Sequence, residues 1–148
     1  MNLQEQIKEI KHGFMAFRNG IVSDTLRKAG MPYKIIFGLQ LPQIAEIARN
    51  NEKNLELADA LWQDSCVRES RLLACYLFPL SEIDENKAYG LASSVQTIEE
   101  ADILSFRLLR NLSFADVLAN RLSSEDSQLI SYCGKALRRN LDAMSYNS

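Results

Sequence analysis

The chain has 148 residues, of which 47% are hydrophobic and 24% are charged, and its formal net charge is −2. These values are typical of a soluble globular protein, and we expect a single domain over residues 1–148 with a core of its own. The acidic balance argues against strong nonspecific nucleic-acid binding, although it is compatible with a local basic face. The low proline and glycine content favours helices, and no apolar run approaches the ~18 residues of a membrane span.

Cysteine and histidine usage argues against a metal centre. Cys66, Cys75 and Cys133 are odd in number and form no CxxC pair, so we expect buried thiols within helices of a cytoplasmic protein. His12 is the only histidine, which excludes a multi-histidine site and most histidine-dependent triads. No phosphate-binding loop, zinc spacing or nucleophile elbow is present. We therefore expect no metal and no cofactor.

Apolar residues at a spacing of three and four predict helices along most of the chain. In chain order, the predicted helices cover residues 2–18, 21–29, a segment starting at Pro42, 54–64, 66–78, 84–95, 98–112, 114–123 and 126–141. Pro32 and Gly38 predict a loop near residues 31–42, and its apolar side chains should pack over a helix edge. Ser65 is the expected N-cap of the helix over 66–78, and Thr97 with Glu100 fits a capping box. Residues 142–148 should form a frayed tail.

The central feature of the sequence is a pair of helices within residues 57–78. A polar break at residues 63–65 separates two amphipathic segments, and helices joined so tightly must lie antiparallel. The pattern L-A-x-x-L begins at Leu57, Leu91 and Leu118, each time before a break and another helix. This repetition predicts an all-α fold, an α-solenoid of antiparallel helix pairs. Trp62 should pack in the core, with a contact to a base or sugar as the alternative.

One carboxylate differs from the others in its surroundings. Asp102 lies among the apolar residues Ile98, Ala101, Ile103 and Leu104 on one predicted helix. A carboxylate flanked in this way lies at the edge of a groove or bonds to a neighbouring helix. Structural bonding is the more common outcome, whereas a groove would make Asp102 a candidate for chemistry.

Cationic side chains recur on the second helix of each predicted pair. They are Arg68, Arg71, Arg107, Arg110, Lys135, Arg138 and Arg139. If the second helices line one face, these cations form a strip that binds a phosphate backbone with a strong salt dependence. The alternative is solvated charge with salt bridges to nearby glutamates.

Several segments together resemble the AlkD-like DNA alkylation repair family. They are Tyr33–Leu39, Leu41–Arg49 and residues 57–78, with Glu69, Arg71 and Ala74 in matching places; residues 99–109 and 114–126 are similar to the units that follow. The resemblance implies a HEAT-like, ARM-type superhelix that binds duplex DNA on a cationic concave face. It also implies a monofunctional glycosylase for N3- and N7-alkylated purines, in which a carboxylate stabilises the oxocarbenium sugar.

Asp102 is the residue that matches the catalytic carboxylate of that family. The family places a tryptophan four residues earlier, where this chain has Ile98, and its second active-site tryptophan has no counterpart because Trp62 is the only one here. We therefore expect a DNA-binding protein whose glycosylase activity is weak or lost.

Two other interpretations remain open at this stage. One is a small helical-repeat module that binds a protein partner and has no role with nucleic acids. The other is a helical bundle whose repeats are accidental. The exposed apolar end of a short solenoid would also favour a homodimer.

Overall fold

The computed structural model describes residues 1–146, and over that range the protein is all-α, as predicted. Its α-helices are α1 (Leu3–Ala16), α2 (Gly20–Lys28), α3 (Leu41–Arg49), α4 (Leu55–Gln63), α5 (Arg68–Leu77), α6 (Glu85–Ser93), α7 (Ile98–Arg107), α8 (Ala115–Ser123) and α9 (Gln128–Tyr146). Short 3-10 turns cover Leu80–Glu82 and Leu109–Asn111. The chain divides into two compact units, Met1–Pro79 and Leu80–Ser148. None of the helices described is long and apolar enough to cross a bilayer.

Unit 1 is built around the predicted helix pair of residues 57–78. The two helices of that pair, α4 and α5, pack closely on each other, α1 packs on α4, and α3 packs on α5. Trp62 is only 3% exposed and lies edge-on to Phe78, with ring centroids 6.4 Å apart. Its predicted place in the core is confirmed.

The loop between α2 and α3 packs on the first turn of α5, as its apolar residues predicted. The Ile35 amide donates to the Cys66 carbonyl at 2.9 Å, and the Arg68 amide donates to the Ile35 carbonyl at 3.2 Å. Gly38 has φ +90°, and a Cβ atom there would lie 2.2 Å from the Asn19 carbonyl oxygen. The loop therefore needs glycine at this position, because only glycine combines a positive φ with so close an approach of two backbones.

Three local predictions are corrected by the structure. Ser65 does not cap α5, since that helix begins at Arg68 with Val67 at the N-cap and no side-chain cap. Because the chain is held extended there by its bridge to Ile35, Cys66 is exposed in the turn instead of buried in a helix. The tail continues α9 as far as Tyr146, since no breaker follows residue 141. Asn147 and Ser148 of the predicted frayed tail lie outside the described residues.

Unit 2 is organised around its long last helix. The predicted pair α8 and α9 pack closely, and their backbones come close together at Gly134, where a Cβ atom would lie 2.4 Å from the Ser123 amide nitrogen. α7 packs on α9, and α6 packs on α8, in place of the tight α6–α7 pair that the sequence predicted. The small residues Ala101 and Ser105 account for this, because they let α7 approach α9.

Candidate nucleic-acid interface

Asp102 lies on the outward side of α7 between two exposed apolar residues. Ile98, Asp102 and Phe106 are spaced four residues apart, which places them on one side of the helix. Ile98 is 57% exposed and Phe106 is 40% exposed, whereas Asp102 is half-buried. Thr97 begins the helix as predicted, since its hydroxyl accepts a hydrogen bond from the Glu100 amide. The helix therefore presents a carboxylate with an apolar side chain one turn away in each direction.

A hydrogen bond connects this carboxylate to α9. The Tyr132 hydroxyl donates to Asp102 Oδ1 at 2.8 Å, and Arg139 Nη2 donates to the Tyr132 oxygen at 3.3 Å. Tyr132, Lys135 and Arg139 follow the helical spacing of three and four, so they share one side of α9. Asp102 is thus bonded to a neighbouring helix, which was one of the two outcomes expected from its apolar surroundings.

The ionisation of Tyr132 reflects its two partners. The hydrogen bond to Asp102 raises the pKa of Tyr132 above its usual value, partial burial raises the pKa further, and Arg139 lowers it. The phenol therefore keeps its proton and acts as the donor to the carboxylate. Within residues 1–146, Asp102 Oδ2 has no hydrogen-bond partner, so one oxygen of the carboxylate can still interact with a ligand.

Phe106 is flanked by two arginines. The guanidinium carbon of Arg110 lies 3.8 Å from the centre of the Phe106 ring, and that of Arg107 lies 5.3 Å from it. Such contacts are attractive because the ring face is electron-rich. Arg110 Nε is buried, and among the described residues it has no hydrogen-bond partner. The result is an exposed aromatic ring with two cations beside it, a combination suited to a phosphate backbone and a flat base.

Lys135 and Tyr132 both line a surface cleft of about 300 Å³. The lining residues are Glu125, Asp126, Gln128, Ser131, Tyr132 and Lys135. Glu125 already accepts a hydrogen bond from Tyr89. Two carboxylates and one ammonium group give this part of unit 2 mixed charge, in contrast to the surroundings of Phe106.

The other predicted cations have partners within the protein. In unit 1, Arg68 and Arg71 are each only 3% exposed. Arg68 donates to Glu69 at 2.7 Å and to the Leu39 carbonyl at 2.9 Å. Arg71 donates to the Trp62 carbonyl at 2.8 Å and lies 3.6 Å above the Trp62 ring. These two arginines serve the interior of unit 1 and do not present their charge to solvent.

Arg138 is directed away from Arg139, although the two are adjacent in sequence. Its guanidinium donates to Asp116 at 2.7 Å and to Asn120 at 3.0 Å, and it thereby connects α9 to α8. Successive residues of a helix point about 100° apart, which explains the different partners. Of the predicted strip, the structure brings Arg107 and Arg110 together around Phe106 and places Lys135 and Arg139 beside Tyr132.

Cys133 lies one residue from Tyr132 but contributes no reactive group. Burial raises the pKa of the Cys133 thiol to about 11, so the thiolate form is disfavoured. Ser105 contacts it at 3.8 Å from the opposite helix. Within residues 1–146, no group of three or more histidine, cysteine, aspartate or glutamate side chains could hold a metal ion.

No protein-family model, curated protein or solved structure matches this chain. The geometry around Asp102 and Phe106 is therefore the basis for a proposed function. Sequence reasoning did not identify two residues of this site. Phe106 could have been found from its spacing of four residues after Asp102. Tyr132 carries no local signal, because thirty residues separate it from Asp102.

Proposed function

We propose that unit 2 binds duplex DNA through the face that carries Asp102 and Phe106 on α7 and Tyr132 and Arg139 on α9. In this proposal the helix pairs are HEAT-like repeats of an α-solenoid, and the protein is a divergent member of the AlkD-like alkylation repair family. The observation that carries the proposal is the Asp102–Tyr132 hydrogen bond on the same side of α7 as Phe106 and its two arginines.

Electrostatics support a phosphate ligand at this face. Arg107 and Arg110 lie close to the exposed ring of Phe106, and Arg139 lies close to the half-buried ring of Tyr132. A guanidinium group can donate two parallel hydrogen bonds to one phosphate. The chain as a whole is acidic, so an attraction for DNA must come from such a local cluster. We therefore expect modest affinity with a strong dependence on salt.

The surroundings of Asp102 support weak or absent glycosylase activity. A free carboxylate oxygen could stabilise positive charge that develops on a deoxyribose. However, the hydrogen bond from Tyr132 withdraws charge from the same carboxylate, and Ile98 offers no aromatic face on its other side. Alkylated purines leave readily because they are cationic, so even a weakened carboxylate could leave a residual rate on N3- or N7-alkylpurines.

Binding can be tested by fluorescence anisotropy of a labelled DNA duplex at two salt concentrations. The double variant Arg107→Gln/Arg110→Gln should bind more weakly, and the slope of log affinity against log salt should decrease by about 2, since each phosphate contact contributes ~0.9. The matched control is Lys8→Gln/Lys28→Gln, which removes the same charge from exposed positions of unit 1. Absence of binding at low salt, or equal losses in both variants, would exclude this interface.

Catalysis can be tested separately from binding. Purified protein and the Asp102→Asn variant should both release little or no 7-methylguanine from a methylated duplex. Robust release by the wild-type protein that disappears in Asp102→Asn would show an active glycosylase and overturn the expectation of weak activity. Release that persists in Asp102→Asn would assign the activity to other groups.

Protein binding is the second candidate function. The burial of Arg68 and Arg71 favours it, because two cations of the predicted strip are unavailable to phosphate. In this case duplex DNA would not bind at low salt, and affinity capture would retrieve a protein partner. Sedimentation over a range of concentrations would show whether that partner is a second copy of the chain.

A further inference from the structure

A groove of about 580 Å³ runs between α1 and α3 in unit 1. The two helices pack on different neighbours, α1 on α4 and α3 on α5, and Gly13 of α1 lies close to Ile47 of α3. Ile10, Phe17 and Ile47 line this groove, and the Ile47 side chain would lie 3.4 Å from a Cβ atom at Gly13. The floor is therefore apolar, and Gly13 lies next to Ile47 on it.

The groove is elongated. The lining residues on α1 run from Gln6 to Phe17 with helical spacing, a distance of about 16 Å at a rise of 1.5 Å per residue. On the other side the lining extends from Glu46 on α3 to Glu52 beyond its end. A long apolar channel between two helices is the shape that accepts a third, short amphipathic helix.

The polar part of the lining is acidic. Glu9 comes from α1, Glu46 from α3 and Glu52 from the segment after α3, and all three carboxylates are exposed. None of them forms an ion pair within the part of the chain that the structure describes, and no lysine, arginine or histidine side chain belongs to the lining there. The amides of Gln6, Asn50 and Asn51 complete the polar part of the lining. The three carboxylates outnumber the α-amino group of Met1, which is the cationic group of the described lining, so the groove as a whole attracts a positively charged ligand.

We propose that this groove binds a basic amphipathic helix of a partner protein. Aliphatic side chains of that helix pack on Ile10, Phe17 and Ile47, and its lysines or arginines pair with Glu9, Glu46 and Glu52. The site lies within unit 1 and uses none of the residues assigned to DNA. The groove therefore gives the protein a second proposed ligand, a basic helix of a partner protein. This proposal does not depend on the proposed binding of DNA.

The test uses a fluorescent peptide of about 12 residues, long enough for an 18 Å helix, in which leucine and lysine alternate with helical spacing. A peptide with the same leucines and with glutamate in place of lysine is the control ligand. We expect the lysine peptide to bind and the glutamate peptide not to bind. The variant Glu9→Gln/Glu46→Gln/Glu52→Gln should weaken binding by about tenfold or more, since three opposed charges are lost.

A matched variant separates the groove from the general acidity of the chain. Asp24→Asn/Glu56→Gln/Glu82→Gln removes three exposed carboxylates that do not line the groove. It should change affinity for the lysine peptide by less than about twofold, as expected for charges outside the groove that are screened by salt. Failure of the lysine peptide to bind, or equal weakening by the two triple variants, would overturn the proposal. Because no DNA is present, these outcomes are independent of the duplex titration.

Discussion

The Tyr132 hydroxyl donates a 2.8 Å hydrogen bond to Asp102 Oδ1, and this bond joins α9 to α7 at the centre of the proposed DNA-binding face. The two residues influence each other's chemistry in opposite ways. Asp102 raises the pKa of the phenol, and the phenol in turn occupies one of the two oxygens that Asp102 can offer to a ligand. The pair can therefore be examined through the ionisation of Tyr132.

Substitutions of Asp102 and Arg139 should shift the pKa of Tyr132 in opposite directions. Asp102→Asn should lower the pKa of Tyr132, because the hydrogen bond to the carboxylate is the largest cause of its increase. Arg139→Gln should raise the pKa of Tyr132 further, because the guanidinium favours the phenolate. An ultraviolet titration of tyrosine ionisation, with Tyr132→Phe identifying the signal, measures both changes. Shifts of the same sign in the two variants would contradict the assignment.

The same pair predicts how stability depends on pH. The folded-state pKa of Tyr132 lies above 10.0, the value for an unperturbed tyrosine, so the folded state holds this proton more tightly than the unfolded chain does. The contribution to stability is fully present below pH 10.0 and is lost as pH rises through the folded-state pKa. Urea unfolding in this alkaline range should show a steeper loss of stability for wild type than for Tyr132→Phe. Parallel curves would mean that the hydrogen bond does not form in solution.

Glu69 should be essential for the stability of unit 1. Its carboxylate is fully buried, accepts hydrogen bonds from the amides of Phe37, Gly38 and Leu39, and pairs with Arg68. Glu69→Gln should reduce the free energy of unfolding by about 3 kcal/mol, because it leaves Arg68 buried without a counter-charge. Urea denaturation measures the change. The exposed control Glu56→Gln should stay within about 0.5 kcal/mol of wild type, and a similarly small effect at Glu69 would contradict its structural role.

Replacing Gly38 and Gly90 by alanine should change the stability of the protein in opposite directions. Gly38→Ala should destabilise the protein by more than about 1 kcal/mol, since the residue has φ +90° and the new methyl group would collide with the Asn19 carbonyl. Gly90→Ala should stabilise it by roughly 0.5–1 kcal/mol, because Gly90 lies inside α6 with open space around it. Thermal unfolding compares the two. Equal shifts of Tm in the same direction would show that the Gly38 backbone conformation is wrong.

Substitutions of Arg71 and Arg107 should have different effects, one on stability and the other on DNA binding. Arg71→Lys removes a planar group from the Trp62 ring and should reduce stability by about 2 kcal/mol. It should also change the emission of Trp62, the only tryptophan, without altering the salt dependence of DNA binding. Arg107→Gln should reduce the salt dependence of DNA binding and leave the stability unchanged, since the Arg107 side chain is exposed. A reduced salt slope in Arg71→Lys at unchanged stability would mean that Arg71 reaches phosphate.

The sequence by itself determined the helices of this protein. Apolar residues at a spacing of three and four, interrupted by Pro32, Gly38 and polar breaks, predicted the α-helices to within a few residues, except that α7 ends five residues earlier and α9 extends five residues further. The core position of Trp62 and the cap at Thr97 followed from the same local patterns. These features are local because backbone hydrogen bonds of a helix connect residues only four apart, so the chain carries their information within one or two turns.

Only the tertiary structure decided which charged residues are available to a ligand. Arg71 and Arg107 look alike in sequence, yet one stacks on Trp62 in the interior and the other lies beside an exposed Phe106. Tyr132 reaches Asp102 because α7 packs on α9, a choice that the pairwise repeat pattern did not predict. The physical reason is that a helical pattern defines which residues share a face, whereas the neighbouring helices that cover that face come from distant parts of the chain.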